Sequence, residues 1–243
     1  MTRLIDPYDA LLLDMNGTFV FGHDRFAPTA EFRAAYRAAG GLMGERMVRD
    51  LLRSYLARMA RAIRHPRQCR AIDPMAVVLS SLAPGLAHRS RELTAFETAF
   101  AACECGHVPA PHAAALRHLA TTHRLGVVSN LWARPDRVEA MLAAAGLDDV
   151  FEVCLWSSRL GAAKPALETY DAALQALDLP PERVLFVGAD PLGDVHGPKT
   201  LGLAALWLAE EDAVYPPDLL PPDARASSLT DLPALTAERL PLA

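Results

Sequence analysis

No uninterrupted apolar run in this 243-residue chain approaches the ~20 residues that a membrane-spanning helix needs, although 51% of its residues are hydrophobic. The N-terminus lacks a basic region followed by an apolar one, so no secretory leader is expected and the chain reads as a soluble, cytoplasmic protein with no membrane partner. Cysteine is scarce: the four, at 69, 103, 105 and 154, form no spaced disulfide framework. The cluster Cys103-Glu104-Cys105-Gly106-His107 has no second ligand pair elsewhere to complete a zinc site. A global excess of positive charge is also missing, since the net charge is −5, which argues against nucleic acid as a partner. There is no internal repeat.

What is present is enough apolar residue for one large domain, or for a core domain carrying a smaller insert. Positive charge, though not in excess, is concentrated. Arg46, Arg49, Arg53, Arg58, Arg61, Arg64, Arg67 and Arg70 fall within one stretch, as a local anion-attracting surface or as the solvated face of a helix.

Residues 9–14 read as a buried strand, short and continuously apolar, and similar runs follow at 125–129, 151–156, 184–188 and 203–208. Helical patterns lie between them at 111–122, at 134–145 with a stop at Gly146, and at 165–177 with Pro165 in the first turn. Such alternation predicts an α/β fold with a parallel sheet covered on both faces. From Asp24 to Gly106 the alternation stops, leaving amphipathic helices broken by Gly-Gly, His-Pro, Asp-Pro and Pro-Gly pairs. In the clearest, 44–64, Met47, Val48, Leu51, Leu52, Tyr55, Leu56, Met59 and Ile63 recur at helical spacing. The expected organisation is an α/β core from 1–22 and 107–243, with an all-helical insert at 23–106 over a site at the strand ends. The proline-rich tail from Ala209 is expected to wrap the core as loops, with a last helix from Thr230 to Leu240.

Parallel sheets bind ligands at the carboxyl ends of their strands. The first strand delivers Asp14, the second Ser129 and Asn130, and the 184–188 strand delivers Asp190 with Asp194 four residues on; Lys164 follows the 151–156 strand by a loop. Carboxylates with a backbone carbonyl suit Mg²⁺, which takes oxygen ligands and substrate phosphate. A lysine and a hydroxyl suit phosphoryl oxygens, and attack by Asp14 would divide one hard hydrolysis into two easier steps.

In their order along the chain these residues resemble the motifs of the haloacid dehalogenase-like (HAD) superfamily. Asp14-Met15-Asn16-Gly17-Thr18 looks like its first motif, Ser129-Asn130 its second, Lys164-Pro165 its third and Asp190-Pro191-Leu192-Gly193-Asp194 its fourth. The resemblance implies a Rossmann-like core with a helical cap, and a hydrolase acting on a small anionic molecule. Asp14 would be nucleophile and metal ligand, with Asn16 offering its backbone carbonyl to Mg²⁺. Ser129, Asn130 and Lys164 would hold the phosphoryl group. Asp190 would bind the metal, and Asp194 would orient that shell.

Two positions depart from the family pattern. Where family phosphatases carry an aspartate that protonates the leaving group, this chain has Asn16, which exchanges no proton near neutral pH; acid–base catalysis of that kind supplies ~10²–10⁴-fold in rate. His23 and His196 are candidate substitutes. Ala189 precedes Asp190: a three-residue gap back from Asp194 keeps Asp190 as a metal ligand, whereas a four-residue gap lands on Ala189. The expected activity is a Mg²⁺-dependent phosphatase working through an aspartyl phosphate on Asp14. The alternatives are metal-independent displacement at carbon, as in the dehalogenases of the superfamily, or a catalytically weakened binding protein.

Overall fold

The structure, a computed structural model, describes residues 3–27 and 29–235. Six parallel strands form one sheet: β1 (Ala10–Leu13), β2 (Arg124–Ser129), β3 (Val153–Trp156), β4 (Val184–Gly188), β5 (Ala204–Leu208) and β6 (Ala224–Ala226), in the order β3-β2-β1-β4-β5-β6. The chain builds outward from β1 on one side and then returns to its other side. That reversal leaves a crevice at the carboxyl ends of β1 and β4, where Leu13 sits level with both Val127 and Val187.

Strands buried on both faces need no polar alternation, and these have none. Leu11, Leu13, Leu125, Val127, Leu185 and Val187 face one apolar cluster, while Ala10, Leu12, Val128, Val184 and Phe186 face another. The first is closed by helices α5 (Ala110–Leu119) and α6 (Asp136–Ala144), the second by α8 (Leu167–Leu177). A one-turn helix, α7 (Ser157–Leu160), follows β3. The fold is Rossmann-like.

Between β1 and α5 stand four helices: α1 (Thr29–Ala38), α2 (Glu45–Arg64), α3 (Met75–Leu82) and α4 (Ser90–Glu104). They enclose a core of their own, in which Phe32, Tyr55, Phe96 and Phe100 meet edge to face. Along α2 the buried residues Val48, Leu51, Leu52, Tyr55, Met59 and Ala62 recur at helical spacing. The helix stops at His65, whose extended backbone is what a following proline requires.

This helical insert meets the core at two places. At its base, Phe21 and His107 exchange backbone hydrogen bonds of 2.9 Å, and Arg25 ties the two connecting segments by donating to the carbonyls of Cys105 and Ala102 at 2.8 and 2.7 Å. Between the segments a side chain on Gly106 would collide with the Phe21 carbonyl. Further out, Ala163 N donates to Cys69 O at 2.8 Å and Ile72 N to Gly161 O at 2.7 Å, so the turn after α2 rests on the loop that carries Lys164. The insert therefore covers loops at the strand carboxyl ends.

Several elements differ from expectation. The helix expected from Pro165 begins at Leu167, because Ala166 is extended and the loop before it is held by Cys69. The tail is not all loop, since Ala224–Ala226 adds the edge strand β6 beside β5. Of the helix expected at 230–240, a 3₁₀ stretch covers Leu229–Ala234, and 236–240 lie outside the described residues. No helix among the described residues is long and apolar enough to cross a membrane.

Candidate functional site

Asp14 leaves β1 with its amide donating to Val187 O at 2.9 Å, which fixes it over the crevice beside β4. The chain then turns at Gly17, in the left-handed region at φ +77°, with Gly17 N donating to Val20 O at 2.9 Å. The turn returns the chain toward the insert while leaving the Asp14 carboxylate at the strand end.

Lys164 is the centre of the charges that meet there. Its Nζ donates to Asp14 Oδ1 at 2.7 Å and to Asp194 Oδ1 at 2.6 Å, and lies 5.2 Å from the centroid of the Phe186 ring. Ser129 Oγ donates to the same Asp14 oxygen at 3.1 Å. The lysine is 4% exposed and Asp194 1%, so this network is sealed from solvent on the protein side. Burial works against the lysine's proton, but the carboxylates of Asp14 and Asp194 outweigh it and hold its pKa above the ordinary value. Burial pushes Asp194 up to about 7, opposed by Lys164 and reinforced by the charge of Asp14. One cation between two carboxylates leaves a net negative charge in a low-dielectric place.

The surrounding loops are locked onto this network. Asn130 uses both ends of its amide on the Lys164 backbone, accepting from Lys164 N at 2.8 Å and donating to Lys164 O at 3.0 Å. These two bonds splice the loops after β2 and β3. Asp194 accepts from Asp190 N at 2.8 Å through its second oxygen, and Asp190 in turn accepts from Gly193 N at 2.9 Å, capping the π-helical turn Pro191–His196. Gly188 has no room for a side chain because the Asp194 carboxylate fills that place. Tyr170 donates to Gly193 O at 2.6 Å from below.

Residues 16–23 have the opposite character. Asn16 Oδ1, Thr18 Oγ1 and His23 Nδ1 are buried without a hydrogen-bond partner, although buried polar atoms are ordinarily paired. His23 Nε2 lies 3.8 Å from Asp24 Oδ2, while His196 accepts from Leu220 N at 3.1 Å. Asp24 also feels Asp14: desolvation raises its pKa, and the Asp14 charge adds to the rise.

As a metal centre the donors are all oxygen, which suits a hard cation. Asp194 has both oxygens engaged, so Asp14, Asn16 and Asp190 are the residues left to hold one. No group of three or more His, Cys, Asp or Glu among the described residues is spaced to hold a metal ion. That composition fits Mg²⁺ of the kind bound by one or two carboxylates, with water and substrate phosphate completing the shell, and the orphaned Asn16 oxygen fits such a neighbour.

One residue near the site is invisible to motif reading. Glu104, the last residue of α4, is buried and accepts from Trp132 N at 2.7 Å and Ala133 N at 3.0 Å, joining the insert to the loop after Ser129. Burial pushes it up to about 8, against the pull of those two amides. Within Cys103-Glu104-Cys105 it is the carboxylate that makes the contact.

The comparisons with known proteins agree with this architecture. A phosphoserine phosphatase of Thermus thermophilus is 35% identical over 101 residues, 40% of this chain and 41% of that protein. A pyrimidine 5′-nucleotidase of Escherichia coli is 31% identical over 99 residues, 40% of this chain and 43% of that protein, so each match spans less than half of the relative's length. Among solved structures, a 2-haloacid dehalogenase from Pseudomonas syringae aligns with a TM-score of 0.64 at 22% identity, covering 93% of this chain and 96% of that one. A HAD phosphatase from Thermococcus onnurineus aligns with a TM-score of 0.59 at 19% identity, covering 92% and 95%. The model of the haloacid dehalogenase-like hydrolases matches residues 8–202, and the chain belongs to that family.

Proposed function

We propose that the protein is a Mg²⁺-dependent phosphatase of a small phosphorylated metabolite, with Asp14 as nucleophile. The observation that carries this reading is the Asp14–Lys164–Asp194 network with Ser129 on the same carboxylate oxygen. Both donors reach Oδ1, which leaves Oδ2 as the attacking oxygen. In the first step Oδ2 bonds to phosphorus as the bond to the ester oxygen breaks, giving an aspartyl phosphate and a leaving alkoxide that takes a proton. In the second, water attacks phosphorus, the bond to Asp14 breaks, and phosphate leaves. Lys164 and Ser129 orient the carboxylate and the phosphoryl oxygens. Asp14, Asn16 and Asp190 would hold Mg²⁺, which when bound offsets the charge on the phosphoryl group. Asn16 supplies no proton, so the leaving group draws on water or on a neighbour such as Asp24 or His23. The phosphatase relatives in sequence support attack at phosphorus.

Displacement at carbon is the second reading. It is favoured by one observation, the uncharged Asn16 where family phosphatases carry their proton-donating aspartate. A screen of phosphate esters with added Mg²⁺, against an Asp14→Asn control, separates the two. Phosphate release that chelator abolishes supports the first reading. Halide release from 2-haloacids in excess chelator, with no phosphate release above the control, replaces it with the second.

A further inference from the structure

The arginine cluster has its own place in the fold. Arg58, Arg61 and Arg64 succeed one another at three-residue steps along α2 and line a cavity of about 680 Å³, which the turn after the helix closes with His65 and Gln68. Its floor is apolar, made by the buried Met59, Ala62 and Val78. A single carboxylate lines it, Asp73, and that lies 3.6 Å from Arg58. Arg61 donates only to the Ala57 carbonyl of its own helix, at 3.3 Å, and neither Arg61 nor Arg64 meets an acidic side chain among the described residues. The negative end of the α2 dipole accounts for basic residues in the last turn. It does not account for the cavity, its apolar floor or the third arginine.

The cavity is separate from the site described above, since Asp14, Ser129, Lys164, Asp190 and Asp194 do not line it. Its volume is within the range of small-molecule sites, roughly 300–1,000 Å³. Two guanidinium groups without acidic partners match a dianion in charge, and their planar forks match a phosphate in shape. We propose that the helical insert carries a second binding site, between α2 and α3, for a small organic phosphate. Its phosphoryl oxygens meet Arg61 and Arg64, and its apolar body lies on Met59, Ala62 and Val78.

The test uses AMP, adenosine and inorganic phosphate as probes, titrated calorimetrically into full-length protein carrying Asp14→Asn to prevent turnover. AMP is expected to bind more tightly than inorganic phosphate, with adenosine weakest, and added salt is expected to weaken AMP. In the same background, Arg61→Glu with Arg64→Glu is expected to weaken AMP by about tenfold or more. Arg61→Lys with Arg64→Lys is expected to restore part of the loss, since charge returns without the fork. These arginine side chains are exposed, so the variants keep the wild-type circular dichroism and melting temperature within a few degrees. Equal AMP affinity with and without the Glu pair would overturn the proposal by placing the ligand elsewhere. Absence of binding at millimolar AMP would overturn it by leaving a solvated helix face.

Discussion

At the scale of single residues, the site depends on one buried cation shared between two carboxylates. Removing it leaves Asp14 and Asp194 facing each other without a counter-charge, and breaking a buried pair from one side costs about 3–5 kcal/mol. Lys164→Met is therefore expected to lower the unfolding free energy by roughly that amount at pH 7 in urea denaturation. The deficit should shrink as the pH falls through about 7, where Asp194 takes up a proton. Asn16 gives a second prediction. If the missing group is the proton donor, Asn16→Asp raises phosphate release by ~10²-fold in steady-state assays, and an unchanged rate would mean that another acid already serves. The charged members of this site were legible in the sequence because Asp14 stands at the carboxyl end of an apolar run and Lys164, Asp190 and Asp194 follow such runs by short loops. Asn130 was legible only as a position: which way an amide points depends on the loop beside it, and here that loop belongs to Lys164.

Among the elements, Glu104 at the end of α4 links the insert to the loop that follows Ser129. Its carboxyl binds a proton more tightly in the folded protein, at about 8 against an ordinary 4.5, because burial disfavours its charge. The native state thus holds a proton that the unfolded chain releases, and the associated stability is lost as pH rises through that window. Glu104→Gln has no such titration. The difference in unfolding free energy between wild type and Glu104→Gln is expected to move in favour of the variant from about pH 5 to pH 8, by a few kcal/mol. A constant difference would show that the two amides of Trp132 and Ala133 stabilise the charged form fully. The strands and the long helices were readable from apolar runs and helical periodicity. Strand β6 was not, because Ala-Arg-Ala between prolines and serines carries no period, and only pairing with Leu206–Leu208 makes it a strand. The docking of Cys69 and Ile72 on the Lys164 loop was equally hidden, being made by backbone atoms that every residue has.

For the whole molecule, the apolar packing divides into two parts, the clusters on the two faces of the sheet and a separate core inside the insert. Cys103 is buried in the second, while Cys154, partly buried on β3, has its thiol pushed up to about 11 by burial. Phe96→Ala should remove about 3–5 kcal/mol from the insert core. Because the cores are distinct, pulsed thiol labelling is expected to speed up at Cys103 much more than at Cys154. Equal acceleration at both would mean that the insert and the sheet unfold as one unit. Attack of Asp14 on phosphorus is tested most directly by following the oxygen atoms through turnover in oxygen-18-enriched water. The account predicts the label in released phosphate and none in the Asp14 carboxyl group, with a phosphoryl group found on the Asp14 peptide after acid quench. Label incorporated into Asp14 itself, as hydrolysis of a carbon ester at its carboxyl would give, would contradict it.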